Sequence, residues 1–219
     1  MTMPYQIITD SSCDLPQELA DSYGLIVLPL SLTVDHKTYK NYLDGREIGF
    51  HELYEKFRSG SQTSTCAVNP EAFIEVMEPC LKEGRDIFYI GFSSGLSTTY
   101  QSGVIAASEL REKYPERKIM TIDSLCASLG QGLFVHYAVK KQREGASMEE
   151  LSAYLEALRL DGPSRHGASD QARHAHRQRR QAGQRQQGPR PQSLHPCAGR
   201  PYGADGHRSG QSDRVHLPR

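Results

Sequence analysis

Ile87-Phe88-Tyr89-Ile90-Gly91-Phe92-Ser93-Ser94-Gly95-Leu96-Ser97-Thr98-Thr99-Tyr100-Gln101-Ser102 opens as an apolar run and closes on helical spacing. Ile87 to Ile90 has the length and residue types of a buried strand. Leu96, Tyr100, Val104, Ala107, Leu110 and Tyr114 continue as one face of a helix. A strand that turns through small hydroxylated residues into a helix presents backbone N–H groups, hydroxyls and the positive end of a helix dipole at one point. Such a point suits an anionic group.

Working outward, other segments repeat the same grammar. Tyr5 to Thr9 predicts a first strand ending in the polar turn Asp10-Ser11-Ser12, and Asp14 to Glu18 a helix start capped at Asp14 or a neighbour, with Pro16 in its first turn and Gly24 as its stop. Leu25 to Val34 reads as one long strand with an irregularity at Pro29, followed by a tight turn at Asp35-His36-Lys37 and a return strand near Thr38 to Tyr42. Phe50 to Phe57 has the look of a short helix, and Gln62-Thr63-Ser64-Thr65 of a polar loop. Asn69-Pro70-Glu71 is a helix start whose buried stripe is Phe73, Val76, Met77, Cys80 and Leu81. Lys118 to Ile122 is a further strand, ending at Asp123-Ser124. Leu129, Leu133, Val135, Tyr137 and Val139 supply the apolar face of the next helix. Ser147-Met148-Glu149-Glu150 is a capping box ahead of Leu151, Tyr154, Leu155 and Leu158. Strands alternating with helices imply an α/β domain over residues 1–160, built on a mostly parallel sheet covered on both faces.

Composition divides the chain of 219 residues in two. Residues 161–219 carry 11 Arg and no Lys against 4 Asp and no Glu, a net +7, which leaves −7 on residues 1–160. The same 59 positions hold 8 Gln, 8 Gly, 6 Pro and 6 of the 9 His, with Leu194, Val215 and Leu217 as the large aliphatics. That content is too poor in apolar surface to offset the entropy of ordering. It reads as a coding sequence translated out of frame, in preference to a natural basic tail that binds nucleic acid. The five cysteines are scattered without C-x-x-C spacing and read as reduced cytosolic thiols. No apolar run approaches the roughly 20 residues of a membrane span, and the N-terminus lacks the pattern of a secretory signal.

Ligands of open parallel sheets sit beyond the carboxyl ends of the strands. Three predicted strands end there in small polar residues: Asp10-Ser11-Ser12, Ser93-Ser94-Gly95 and Asp123-Ser124. The Thr63-Ser64-Thr65 loop is placed to join them. Hydroxyls without Lys, Arg or a metal-type His set suit a weakly charged anion such as a carboxylate. A di- or triphosphate would bring a lysine or magnesium ligands, and no G-x-x-x-x-G-K-[ST] occurs. Neither a cofactor nor a metal is expected. The plainer alternative makes each of these residues a helix cap or turn former. A sharper one is a serine hydrolase. Gly91-Phe92-Ser93-Ser94-Gly95 fits the G-x-S-x-G elbow, and Asp123 and His136 follow in triad order. Yet His136 falls inside a predicted helix, out of reach of Ser93, and no oxyanion segment of the H-G-G-G type is present.

Three blocks carry a family resemblance. Thr9-Asp10-Ser11-Ser12-Cys13-Asp14-Leu15-Pro16 resembles the opening T-D-S-[ST]-x-D-L-P of the DegV family. Ser93 to Ser102 is similar to that family's S-S-G-L-S-G-T-Y-x-S, departing at Thr98, where glycine is usual. Asp123-Ser124 with Ser128, Gly130 and Gly132 resembles its third block, and Thr63-Ser64-Thr65-Cys66 stands where T-S-Q-P is more common. The resemblance implies a bacterial fatty-acid-binding protein of two α/β domains, with the acyl chain held between them. Such a protein is itself not an enzyme: it presents the bound carboxylate to a separate ATP-dependent kinase subunit, whose acyl phosphate product feeds phospholipid synthesis. It further implies that Thr63, Ser64 and one of Ser93 or Ser94 bind the carboxylate, that Gly95 admits close approach, and that Ser97 caps the helix. Asp10, Ser11, Ser12, Asp123 and Ser124 would support them. The family's second domain carries an L-x-R-G-G-R-I-type segment that residues 161–219 lack, so weak or absent fatty-acid retention is expected of this chain.

Overall fold

The computed structural model describes residues 5–161. Readings that concern residues 162–219, the frame change and the basic tail among them, lie outside that range. The elements in order are β1 (Tyr5–Asp10), a 3-10 turn (Ser11–Cys13), α1 (Gln17–Tyr23), β2 (Ile26–Leu28), β3 (Leu30–Val34), β4 (Lys37–Asn41), α2 (Phe50–Arg58), β5 (Thr63–Cys66), α3 (Pro70–Lys82), β6 (Asp86–Gly91), α4 (Thr99–Lys113), β7 (Ile119–Asp123), α5 (Leu129–Arg143) and α6 (Met148–Asp161).

The main sheet is parallel, in the order β2-β1-β6-β7. Its central strand β6 shows why the quoted stretch governs the fold. Successive side chains of a strand point to opposite faces. Ile87 and Tyr89 join the cluster built on Phe73, Met77, Ala107 and Leu110, from α3 and α4. Phe88 and Ile90 join the cluster built on Val135, Ala138, Leu151 and Leu155, from α5 and α6. Helices therefore cover both faces, as the apolar run requires. At the β7 edge, Arg111 donates from Nε (3.0 Å) and Nη2 (2.8 Å) to the Ile119 carbonyl, and Arg159 Nη1 donates to that of Asp123 (3.2 Å). Outward-facing carbonyls at each end of the strand are thereby occupied. Among the described residues no helix is long and apolar enough to cross a membrane.

Several boundaries follow the sequence closely. Asn69 Oδ1 accepts from Ala72 N–H (2.9 Å) with Pro70 at the first helical position. The capping box closes reciprocally, Ser147 N–H to Glu150 Oε2 (2.8 Å) and Glu150 N–H to Ser147 Oγ (3.2 Å). Gly24 ends α1 at φ +65°, a conformation that side chains with a Cβ rarely adopt.

Other boundaries differ. The run Leu25 to Val34 is two strands in two sheets: β2 extends the parallel sheet, and β3 lies between β4 and β5 in an antiparallel sheet of its own. Pro29 separates them because proline has no N–H for a ladder, and the next amide, Leu30 N–H, is taken by Ser11 Oγ (3.0 Å). Thr63 to Cys66 is a strand, not a loop. Its polar side chains are all exposed, so no apolar alternation marks it. Asp14 caps no helix. It closes the 3-10 turn at φ +51°, and α1 begins after Pro16 without a side-chain cap. Leu96 precedes α4 instead of belonging to its stripe. On α5 the buried residues are Gln131, Gly132, Phe134, Val135, Ala138, Val139 and Gln142, whereas Leu129 and Leu133 face solvent at 70% and 51% exposure.

Candidate functional site

The three strand ends named from sequence meet at the turn after β6. Phe92 N–H donates to Asp10 Oδ2 (2.9 Å) at the end of β1. Ser93 N–H donates to the Cys126 carbonyl (3.0 Å), and Ser94 N–H to both oxygens of Asp123 (3.2 and 3.3 Å) at the end of β7. The Ser93 carbonyl accepts from Leu96 and Ser97 N–H (3.0 and 3.1 Å). These bonds correct one expectation. The turn does not offer a row of open amides, since those of Phe92, Ser93, Ser94, Leu96 and Ser97 are consumed in holding its shape. Groups that the turn leaves open to a ligand include the Ser93 and Ser94 hydroxyls and the Gly95 N–H.

Ser93 is 6% exposed, yet among the described residues its hydroxyl has no partner, and it retains contact with solvent. Ser94 is exposed. A Cβ on Gly95 would come within 3.6 Å of Ser93 Oγ, so glycine keeps the approach to that hydroxyl open. Ser97 stands one residue before the N-cap position, which Thr98 occupies without a side-chain cap bond; its Oγ accepts from Thr99 N–H (3.1 Å) and lies 2.9 Å from Thr99 Oγ1. Thr99 Oγ1 in turn accepts from Val68 N–H (3.4 Å), which ties the segment after β5 to the turn.

Asp10, Ser11, Ser12, Asp123 and Ser124 act inward. Asp10 is fully buried and surrounded by donors: Phe92 N–H and Tyr89 Oη (3.3 Å) at Oδ2, and Ser12 N–H (3.2 Å), Ser12 Oγ (2.5 Å) and Gln131 Nε2 (3.2 Å) at Oδ1. Burial pushes its carboxyl above the usual carboxylate range, against the opposing pull of those donors. Ser124 Oγ accepts from Cys126 N–H (3.1 Å), and Asp123 Oδ1 also accepts from Leu125 N–H (2.9 Å). Burial, with Asp123 nearby, raises the Cys126 thiol.

Thr63 and Ser64 lie on the other sheet. Adjacent on β5, opposite Val34 and Thr33, they point to opposite faces of the small sheet. Both are exposed, and no hydrogen bond joins either side chain to the Ser93 turn. The triad candidates do not assemble. His136 Nδ1 lies 2.5 Å from Tyr23 Oη, and Asp123 serves the amides of Ser94 and Leu125.

Gln131 is not among the residues that the sequence motifs single out. Its amide contacts Thr9 Oγ1 (3.1 Å), Asp10 and Ser12 Oγ (2.6 Å) and fixes the end of β1. Its signal is positional: Gln131, Phe134, Val135, Ala138 and Gln142 share one helical face, and a polar residue on a buried stripe needs a partner. Among the described residues, no group of three or more His, Cys, Asp or Glu is placed to hold a metal ion.

Comparison with known proteins places this geometry in context. A family model described as "Uncharacterised protein, DegV family" matches residues 4–161. A DegV domain-containing protein of Clostridium perfringens is 39% identical over 152 residues, 69% of this chain and 52% of that protein. A Thermus thermophilus DegV family structure, described by its fatty-acid binding, superposes with a TM-score of 0.65 at 35% identity, covering 73% of this chain and 54% of that one. A stearic-acid-binding protein from Eubacterium ventriosum also gives a TM-score of 0.65, at 26% identity, covering 70% and 52%. The chain thus spans about half the length of the relatives it matches.

Proposed function

The chain belongs to the DegV family, and on that premise we propose that its α/β domain holds the carboxyl end of a fatty acid at the Ser93–Ser94 turn. One observation carries this reading: the hydroxyl of Ser93, a residue 6% exposed, is open to solvent and has no partner among the described residues at the point where three strand ends converge. Its proton is free to be donated to an acceptor on a ligand. A carboxylate could accept from Ser93 Oγ, Ser94 Oγ and Gly95 N–H together. The fatty acids named for the Thermus and Eubacterium relatives fit that chemistry. Thr63, on its separate sheet, joins the set as a second wall.

The finer reading is that the bound carboxylate is offered to a separate ATP-dependent kinase subunit, which returns an acyl phosphate for phospholipid synthesis. A carboxyl group at the exposed mouth of the sheet, with the exposed Ser94 beside it, suits transfer to a partner. ATP as co-substrate puts the step in the cytoplasm.

Removing a charge-assisted hydrogen bond costs about 1.5–3 kcal/mol, or about tenfold to a hundredfold in affinity. With this domain joined to the second domain of a full-length relative, Ser93→Ala and Ser94→Ala, each alone and combined with Thr63→Ala, should weaken palmitate binding on that scale in a calorimetric or NMR titration. Unchanged affinity in every variant rules the site out. The kinase reading predicts acyl phosphate, trapped by hydroxylamine, only when the loaded chain, ATP and the kinase subunit are mixed.

A further inference from the structure

Between α1 and α5 lies a hollow of about 270 Å3, lined by Tyr23, His136, Val139, Lys140, Arg143 and Glu144. His136, Lys140 and Arg143 recur at i, i+4 and i+7 and so share one face of α5. Tyr23, the last residue of α1, stands opposite them. Its Oη lies 2.5 Å from His136 Nδ1, and the Arg143 guanidinium carbon lies 5.1 Å from its ring centroid. Arg143 Nη2 also donates to the Ser22 carbonyl (2.6 Å). Val139, 1% exposed, is the apolar floor.

These contacts hold the side chains in place and leave donors to spare. With Tyr23 Oη donating to Nδ1, His136 carries its proton on Nε2, which is then a donor. Among the described residues, nothing accepts from His136 Nε2, from Arg143 Nε or Nη1, or from Lys140 Nζ. Glu144, the acidic member of the lining, has its Oε2 on Lys141 Nζ (2.7 Å). Residues 1–160 carry a net charge of −7, so two cations without an ion pair beside one hollow run against their own domain. Cations in the last turns of a helix complement its dipole, which accounts for the charge there. It does not account for a hollow between two helices, edged by an arginine and a histidine already fixed in position.

The donors select the ligand. The Ser93 turn offers hydroxyls and an amide, which suit the single charge of a carboxylate. Here a guanidinium and an ammonium flank an imidazole N–H, and two full charges match the dianion of a phosphate monoester. Sites for drug-sized ligands run from about 300 to 1,000 Å3, so this hollow admits a phosphate with a small organic group. We propose that Tyr23, His136, Lys140 and Arg143 form a binding site for a small phosphomonoester. The phosphate sits on Lys140, Arg143 and His136 Nε2, and the organic group lies against Tyr23 and Val139. The site goes beyond the carboxyl-binding reading and does not depend on it.

The test titrates the full chain with phenyl phosphate, followed by amide NMR, beside benzoate and inorganic phosphate. Phenyl phosphate should saturate and shift the amides of residues 22–24 and 136–144. Benzoate keeps the ring with one charge, and inorganic phosphate keeps the charge without the ring; each should bind at least about fivefold more weakly. Lys140 is exposed, so Lys140→Gln should keep the parent circular dichroism while weakening phenyl phosphate about three- to tenfold. Arg143→Gln should weaken it at least as much. Lys118→Gln removes the same charge from an exposed pair with Glu149 and should leave the affinity unchanged. An equal loss in Lys118→Gln, or shifts scattered over the surface, would mean diffuse charge attraction and overturn the site. Saturation indifferent to Lys140→Gln overturns it too, as does benzoate binding as tightly as phenyl phosphate, or no saturation at about 10 mM. Displacement by dihexanoyl phosphatidic acid would trace the phosphate to a lipid headgroup, and resistance to it would restrict the site to soluble monoesters; both outcomes uphold the site.

Discussion

Asp10 illustrates how one buried side chain sets the shape of the turn. Both of its oxygens face donors, so it holds Phe92 from below while Asp123 holds Ser94 from the side. Asp10→Asn removes a charge that burial disfavours, yet it also turns an –NH2 group toward N–H and O–H donors on one side. Leaving such groups unsatisfied costs about 1–3 kcal/mol, and we expect a loss of that size in chemical denaturation. A variant as stable as the parent would show that the donors do not depend on the carboxyl. The pH dependence has a definite sign. Because the folded carboxyl titrates above its ordinary value, the native state binds the proton more tightly than the unfolded chain. Stability from this group is greatest below the ordinary carboxylate range, declines as pH rises to the raised value, and is level beyond it. The advantage of the parent over Asp10→Asn should therefore shrink as pH rises through that interval. A growing advantage would contradict the assignment.

At the scale of elements, the seating of α5 on the 3-10 turn decides the register of the strand ends. A Cβ at Gly132 would lie 2.5 Å from the Cys13 carbonyl oxygen and 3.1 Å from Leu15 Cδ2. Helix propensity alone favours Gly132→Ala by about 0.5–1 kcal/mol. Overpacking against backbone costs about 1–3 kcal/mol, and Cys13, fully buried, has little room to withdraw. The overpacking term wins, so Gly132→Ala should lower the unfolding free energy by about 1 kcal/mol or more and move Gln131 off Asp10. A higher melting temperature would mean that α5 can slide outward at little cost. The Asn69 cap offers a second comparison. Asn69→Ala should cost about 1 kcal/mol, read by denaturation.

At the scale of the whole molecule, three apolar clusters form within the described residues. Two clusters fill the faces of the parallel sheet, and a third, built on Leu32, Val34, Ile48 and Leu53, lies in the segment of the small sheet and α2. A chain cut after Asp161 should therefore keep the unfolding midpoint and far-ultraviolet circular dichroism of the full chain. A drop of many degrees would show that residues beyond Asp161 contribute to the core.

Local physics alone determined much of this protein. An apolar run of strand length must be covered on both faces, which made Ile87 to Ile90 the centre of an α/β sandwich. Asn69-Pro70 and Ser147 to Glu150 satisfy their own helix amides within one turn, so the letters are enough to place them. The convergence of Asp10, Ser93 and Asp123 followed from the general rule for parallel sheets. Tertiary structure decided what depends on distant partners. Pro29 marked an irregularity, but only the competition for Leu30 N–H and the pairing of β3 with β4 and β5 sent the second half of the run into another sheet. The all-polar Thr63 to Cys66 became a strand through β3's backbone, which carries no side-chain signature. On α5 hydrophobicity pointed to Leu129 and Leu133, whereas the buried face is the one whose Gln131 and Gln142 amides satisfy Asp10 and the Tyr5 carbonyl. A buried acceptor is costly to leave unpaired, and that demand, set by residues more than a hundred positions away, fixed which face of the helix turned inward and which leucines were left in solvent.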